Sequence, residues 1–409
     1  MITEKTITKT NTMGQVSERL ARLSESQTLA MAQKSRELKA QGVDVINLSI
    51  GEPDFNTPDH IKEAAKKAID DNYSHYSPVP GYDELKKAVC RKFKRENNLD
   101  FTPDQIVVSN GAKHSIANVI LSLINQDDEV IIPTPYWVSY VELVKLARGK
   151  NVLIDAGIES DYKIKPEQIE AAITPRTKLF LFSSPSNPTG SLYTREELKA
   201  FADVFARHPQ VYVISDEIYE HINFIGSHES IAQFPQIKDQ VIVVNGVSKG
   251  YAMTGWRIGY IGAPQWIAKA CNKLQGQMTS GASSIAQIAS VAALDGDNSC
   301  IKEMCATFKK RRDILYNLLK EIPGLKVNLP QGAFYLFVEA SYFYGKTDGK
   351  TIIKSTNDLA LYILNDAFVA LVDGSAFGAP DYIRFSYAAS EEQLINAAKR
   401  IKTSLLKLV

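Results

Sequence analysis

Lys249 lies in the small-residue run Asn245-Gly246-Val247-Ser248-Lys249-Gly250, directly after the apolar stretch Val241-Ile242-Val243-Val244. That stretch reads as a buried strand, which puts the lysine in a loop past a strand's carboxyl end, where open α/β sheets bind ligands. A partly desolvated amine there loses its proton and can attack a carbonyl carbon. Arg257, eight positions on, supplies a fixed cation for an anionic group. Lysine–aldehyde chemistry beside a phosphate clamp points to pyridoxal phosphate. The competing reading is a solvated Lys and Arg near a Gly-rich turn, and the other strand ends weigh against it.

Asp216, in Ser215-Asp216-Glu217-Ile218-Tyr219, follows the apolar run Val211–Ile214. A carboxylate at that edge can keep a pyridine nitrogen protonated and so make the ring an electron sink. Taken alone, an Asp-Glu pair after a strand is more often a helix cap; Lys249 at the next strand end reverses that preference. Tyr219 could hydrogen-bond a phenolate oxygen. Ser109-Asn110-Gly111-Ala112 opens a helix, and its small residues let backbone N–H groups approach a phosphate. Trp137, in Pro135-Tyr136-Trp137, offers a flat face for stacking, with a core tryptophan as the alternative. The rigid turn Ser184-Pro185-Ser186-Asn187-Pro188 places the Asn187 amide at another strand end.

These loops need a sheet to hold them. From about residue 105 to 262 the pattern is strand, loop, helix, repeated, and most strands are continuous apolar runs, as in a mostly parallel sheet covered on both faces. The expected core is doubly wound α/β. A helix is announced by Thr57 as N-cap, Pro58 at the first helical position and Ile61, Ala64, Ala65, Ala68 and Ile69 on one face. Another opens on the capping box Thr194 and Glu197. Near Cys300 the rhythm changes to a long amphipathic helix carrying Lys309-Lys310-Arg311-Arg312, read as a solvated face, followed by an α+β end piece. With 409 residues the chain exceeds one ordinary core. The expected division is an N-terminal arm (1–14), a small domain (15–58 with 302–409) and a large cofactor-binding domain (59–301). The loop Tyr344-Gly345-Lys346-Thr347-Asp348-Gly349-Lys350-Thr351 reads as a surface excursion, since Tyr344 stands where a P-loop needs its first glycine.

Lys+Arg 47 against Asp+Glu 46 leaves a net charge of +1, which gives no electrostatic reason to expect a nucleic-acid or membrane partner. No run approaches a membrane span and residues 1–15 lack a signal-peptide core, so the expected location is the cytoplasm. Cys90, Cys271, Cys300 and Cys305 form no CxxC and are expected as free, buried thiols. No metal site is expected, since His221 and His228 lie near each other without completing a ligand pattern.

Taken together, these stretches resemble class I aminotransferases of the pyridoxal-phosphate fold type I, most nearly the bacterial aspartate aminotransferases of subgroup Ib. The resemblance runs from about Ser17 to the C-terminus and rests on Gly51-Glu52-Pro53-Asp54-Phe55, Pro135-Tyr136-Trp137-Val138-Ser139-Tyr140, Asn187-Pro188-Thr189-Gly190, Ser215-Asp216-Glu217-Ile218-Tyr219, Ser248-Lys249, Met253-Thr254-Gly255-Trp256-Arg257 and Ile383-Arg384-Phe385-Ser386-Tyr387. It implies that Lys249 bonds to the cofactor aldehyde and moves the Cα proton. Asp216 would pair with the ring nitrogen, Tyr219 and Asn187 would touch the phenolate oxygen, and Trp137 would stack on the ring. Arg257, Ser248, Gly111 and Ala112 would form the phosphate cup. Tyr76 matches a tyrosine that reaches the phosphate from a neighbouring subunit, implying a homodimer with shared sites. Arg384 would clamp the α-carboxylate, helped by Gly51 and Asn187.

For substrate the resemblance implies amino acids and 2-oxo acids, first aspartate with 2-oxoglutarate. Ser26 and Thr28 of Ser26-Gln27-Thr28, together with Lys113, match positions that reach the distal carboxylate. Relatives that accept prephenate carry a lysine where this chain has Ser24, which disfavours an aromatic or prephenate-type enzyme without removing it. A cofactor-binding regulatory domain is disfavoured because no basic DNA-reading module precedes Ser17. A nicotinamide dehydrogenase is disfavoured because no GxGxxG follows the first core strand.

Overall fold

The computed structural model describes residues 16–25 and 27–409, with the backbone alone at 27–29; the expected arm at 1–14 lies outside them. After a two-residue strand, β1 (Ile46–Asn47), the chain builds a seven-stranded sheet from β2 (Ile106–Ser109), β3 (Glu129–Thr134), β4 (Lys150–Asp155), β5 (Thr177–Ser183), β6 (Tyr212–Asp216), β7 (Val241–Gly246) and β8 (Gly259–Gly262). Their spatial order is β2-β8-β7-β6-β5-β3-β4. β8 runs antiparallel to both its neighbours; every other pairing is parallel.

The continuous apolar runs have a direct explanation. Successive strand residues point to opposite faces, and here each face has its own core. Val108, Ile131, Phe180, Val213 and Val243 enter one; Val107, Ile132, Leu181, Ile214 and Val244 enter the other. With both faces covered, the middles of β2, β3, β5, β6 and β7 are apolar and polar residues gather toward the strand ends, while the edge strand β4 is partly exposed.

Because β8 alone is reversed, one edge of the sheet gathers the carboxyl ends of β2, β3, β5, β6 and β7 with the amino end of β8. The register confirms it: Gly259 pairs with Ser109 on one side and Gly246 on the other. Asn110, Pro135, Ser184, Asp216, Val247 and Arg257 therefore emerge along a single rim.

A second region contains the antiparallel strands β9 (Tyr335–Glu339), β11 (Val372–Asp373) and β12 (Tyr382–Ser386), while β10 (Val369–Ala370) pairs with β1 in parallel. Helices Ser299–Lys320, Thr356–Ala367 and Glu391–Leu405 pack with these strands around a separate core of Leu315, Phe334, Leu336, Ile363, Phe385 and Ile401. Tyr219 and Ile218, just past β6, belong to that core, so the second region grips a loop of the first.

Four local expectations are corrected. The first well-announced helix spans Asp59–Asp70 with Pro58 at the cap position. Thr57 instead donates its hydroxyl to the Ala252 carbonyl (2.7 Å) and accepts from the Trp256 indole N–H (3.1 Å), tying the helix entry to the loop after Lys249. Ile69 is 59% exposed, since its helical angle carries it away from Ile61, Ala65 and Ala68. The basic cluster is not uniformly solvated: Arg311 forks onto Asp54 (2.6 and 3.0 Å), and Arg312 donates to the Pro330 carbonyl (2.8 Å) and lies on the Phe224 ring. The capping box of Thr194 and Glu197 forms as read. The excursion at 344–351 is flanked by buried Phe343 and Ile353 and anchored by reciprocal backbone bonds between Thr347 and Val409. All four cysteines are free, but only Cys271 is fully buried. No helix among the described residues is long and apolar enough to cross a membrane.

Candidate active site

The rim and the second region enclose a cleft of about 260 Å³ lined by Gly51, Ala112, Lys113, Trp137, Asn187, Asp216, Tyr219, Ser248, Lys249, Arg257 and Arg384 among others. Eleven expected site residues, scattered over more than three hundred positions of sequence, thus line one cleft. Gly111 caps the helix Ala112–Leu123 just behind it.

The Lys249 ammonium donates to the Gly51 carbonyl at 2.6 Å. Burial pushes its pKa down to about 8; Arg257 and Arg384 add to this while Glu52 and Asp216 oppose it. A neutral amine is therefore accessible near neutral pH, which a nucleophile and proton carrier requires.

Asp216 ends β6 and is 4% exposed. Tyr140 donates to its Oδ2 at 2.6 Å and the Ile218 N–H to its Oδ1 at 3.3 Å. Burial nevertheless raises its carboxyl to about 6, outweighing the two donors and Lys249. An anion held at such a cost is well suited to a cationic partner.

On the opposite wall Arg384, 2% exposed, donates from Nη1 to Asn187 Oδ1 (3.0 Å) and from Nη2 to the Ser49 carbonyl (2.6 Å). Its guanidinium lies 4.6 Å from the Tyr335 ring centre and 4.9 Å from that of Phe377. The buried Nε has no partner. This is a cation kept rigid, desolvated and incompletely satisfied, the condition that favours a carboxylate.

At the cleft's other end, Arg257 has a left-handed backbone (φ 58°), with Nη1 donating to the Thr254 carbonyl (2.8 Å) and Nη2 to that of Asn110 (3.2 Å). Gly111 has φ 85°, and a Cβ there would run into the Arg257 guanidinium. Only glycine lets this cation sit beside the start of a helix, whose free N–H groups and dipole favour an anion. Lys113 lies over the Trp137 ring at 5.1 Å, its pKa lowered by burial and then by Arg257.

One expected residue is not brought to the cleft. Tyr76 is 99% exposed on its loop and does not line it. Ser26 lies outside the described residues, as does the side chain of Thr28. Conversely, Tyr140, Tyr335 and Ser49 went unread as site residues. Tyr140 had a signal: a hydroxyl on the buried side of a helix beside Val141 and Val144, three residues after Trp137. Tyr335 and Ser49 had none, because a tyrosine in an apolar strand and a backbone carbonyl look like any others.

The two histidines without a sequence pattern do acquire carboxylate neighbours. His221 Nε2 lies 2.9 Å from Glu96, and His228 Nε2 lies 3.0 Å from Glu217. Glu220 stands close to both pairs. The fully buried Lys92 bonds to Glu220, and to Asn97 Oδ1 at 2.8 Å, placing a cation already among these acids. The residues fit charge pairing behind the Asp216–His221 loop.

The chain belongs to the class I and II aminotransferases, whose family model matches residues 43–401. It is 46% identical to an aspartate/prephenate aminotransferase of Nitrosomonas europaea, over 95% of this chain and 99% of that one. It is also 46% identical to an aspartate aminotransferase of Geobacillus stearothermophilus, over 94% and 98%. The crystal structure of an aspartate aminotransferase from Rhizobium meliloti superposes with a TM-score of 0.94 at 43% identity, covering 97% of this chain and all of the other. Enzymes of this family use pyridoxal phosphate and act on amino and 2-oxo acids. The residues here fit that cofactor: an amine of lowered pKa, a buried carboxylate, and a glycine cradle beside an arginine.

Proposed function

We propose that this chain transfers the amino group of L-aspartate to 2-oxoglutarate, giving oxaloacetate and L-glutamate. The observation that carries the reading is the cleft's two-ended charge: buried Arg384 at one end, Lys113 and Arg257 at the other, and Lys249 between. A dicarboxylate offers one anion to Arg384 and another to Lys113, while the phosphate cup takes Arg257. The names carried by the Geobacillus and Rhizobium relatives support the same substrate.

Pyridoxal phosphate, when bound, supplies an aldehyde that takes up the amino group and a ring that draws electrons from the substrate's Cα. Lys249 would hold the aldehyde at rest and Asp216 the ring nitrogen. Tyr219 and Asn187 would hold the phenolic oxygen, Trp137 the ring face, and Arg257, Ser248, Gly111 and Ala112 the phosphate. The chain's own work is then positional and acid–base. Arg384, fixed by Asn187, Ser49 and two aromatic rings, orients the α-carboxylate. Lys249, once released, takes the Cα proton as an amine whose pKa burial has lowered to about 8. Tyr140 and the Ile218 N–H keep Asp216 pointed at the cleft. The same pocket serves both dicarboxylates in turn.

In this reading Tyr76 serves a neighbouring subunit's cup, the enzyme is a cytosolic homodimer, and the division at residues 58 and 302 separates a small from a large domain. The full exposure of Tyr76 supports the assembly, and the separate hydrophobic core of the second region supports the division.

A second reading, transamination of prephenate in the same cleft, is supported by the name of the Nitrosomonas relative. A panel of keto acids offered to the enzyme with aspartate as donor decides between them. Faster turnover of 2-oxoglutarate is expected; faster turnover of prephenate would reverse the order.

A further inference from the structure

Tyr335 stands where the carboxylate clamp, the Gly51 strap and the Tyr219 hydroxyl meet. Its ring carries the Arg384 guanidinium at 4.6 Å. Its hydroxyl sits so close to Gly51 that a Cβ there would come within 2.5 Å. The same hydroxyl is 2.8 Å from that of Tyr219, and each is the other's hydrogen-bond partner.

Two hydroxyls bring two hydrogens, but only one can lie between the oxygens. If Tyr219 donates to Tyr335, its hydrogen is turned away from the cleft; if Tyr335 donates, the Tyr219 hydrogen is free to point into it. Nearby charge selects the direction. The Arg384 guanidinium lies against the Tyr335 ring itself; burial raises both phenols, with Arg384 the foremost opposing cause at Tyr335, while at Tyr219, where Arg384 also opposes, Tyr335 and Asp216 add to the rise. The more acidic phenol is the better donor.

We propose that Tyr335 is a positioning residue: it donates its hydroxyl hydrogen to Tyr219 and leaves the Tyr219 O–H aimed into the cleft as donor to the cofactor's phenolic oxygen. This rests on the reading of Tyr219 as a cofactor contact. Accepting one hydrogen bond polarises a hydroxyl and strengthens the one it gives. Tyr335 thereby connects the cation that grips the substrate to the hydroxyl that steadies the cofactor, without touching the reacting atoms.

The test is a pH titration of the holoenzyme's visible absorption, which reports the proton on the nitrogen joining Lys249 to the cofactor. A donor to the phenolic oxygen favours the deprotonated nitrogen, so a weakened donor raises the midpoint. Tyr335→Phe keeps the ring under Arg384 and deletes the hydroxyl; the midpoint is expected to rise by roughly half a pH unit, the scale of one weakened hydrogen bond. In a Tyr219→Phe background the same substitution is expected to add nothing. An unmoved midpoint, or an equal shift in both backgrounds, overturns the proposal. Should Tyr335→Phe not accumulate, 3-fluorotyrosine at 335, a more acidic donor of nearly the same shape, lowers the midpoint if the proposal holds; no shift or a rise overturns it. A protein with no visible band in any form removes the cofactor reading beneath, a result distinct from a band that titrates unchanged.

Discussion

Lys249 and Asp216 show how far burial alone moves chemistry. An ordinary lysine titrates near about 10.4; here burial brings the amine to about 8. Cofactor-free protein should take up pyridoxal phosphate faster as pH rises, levelling above about 8, followed by stopped-flow absorbance; a midpoint near about 10 would contradict the lowered value. Asp216 moves the other way, from 3.8 to about 6. Its folded form binds a proton more tightly than the unfolded chain does, so that stabilisation is complete below 3.8 and is lost as pH rises through about 6. Asp216→Asn should therefore make the cofactor-free protein more stable at pH 8, by up to about 3 kcal/mol, with the gain gone near pH 4, while cofactor affinity falls. Thermal melts at both pH values check this. Arg384→Leu should cost roughly 3 kcal/mol or more in kcat/KM for aspartate, the scale for removing one partner of a buried bidentate pair. An unchanged kcat/KM would remove Arg384 from the clamp.

At the scale of elements, the cleft depends on one reversed strand. β8 carries Arg257 at its entrance and lies between β2 and β7, so the helix that Gly111 caps and the lysine loop are brought together by antiparallel pairing. Close approach needs glycine twice. A Cβ on Gly259 would strike the Ala112 backbone, and one on Gly111 would strike Arg257. Gly111 also has φ 85°, a region that costs a side-chain-bearing residue about 1 kcal/mol or more. Gly111→Ala is expected to weaken cofactor retention at least about tenfold, the effect of losing roughly 1.4 kcal/mol, measured by equilibrium dialysis. Retention equal to the parent protein would show that the cup tolerates a displaced arginine.

For the whole molecule, the prominent feature is Tyr76, fully exposed on a single chain yet matching a phosphate contact in the resembled family. In a shared-site homodimer, Tyr76→Phe should lower cofactor affinity without changing the sedimenting mass. A monomer at micromolar concentration with full cofactor affinity would remove the shared site. The buried Lys92 with Glu220 and Glu96 braces the back of the Asp216–His221 loop, so both faces of the catalytic rim are tied to the body of the protein.

Much of this was legible in the linear chain because strand ends are marked chemically. Where Val241–Val244 gives way to Asn245 and Ser248, or Val211–Ile214 to Asp216, the loss of apolar character shows where burial stops, and Lys249, Asp216, Asn187 and Gly111 could be read from that change. The doubly wound sheet followed from runs that both faces must bury. What no local pattern carried was the partner across the fold: Tyr140 on Asp216, Ser49 and Tyr335 around Arg384, Asp54 on Arg311, Thr57 on Ala252. Periodicity records which side of an element is buried, not what it is buried against. Those contacts, and the pKa values they help set, exist only once residues hundreds of positions apart exclude water together.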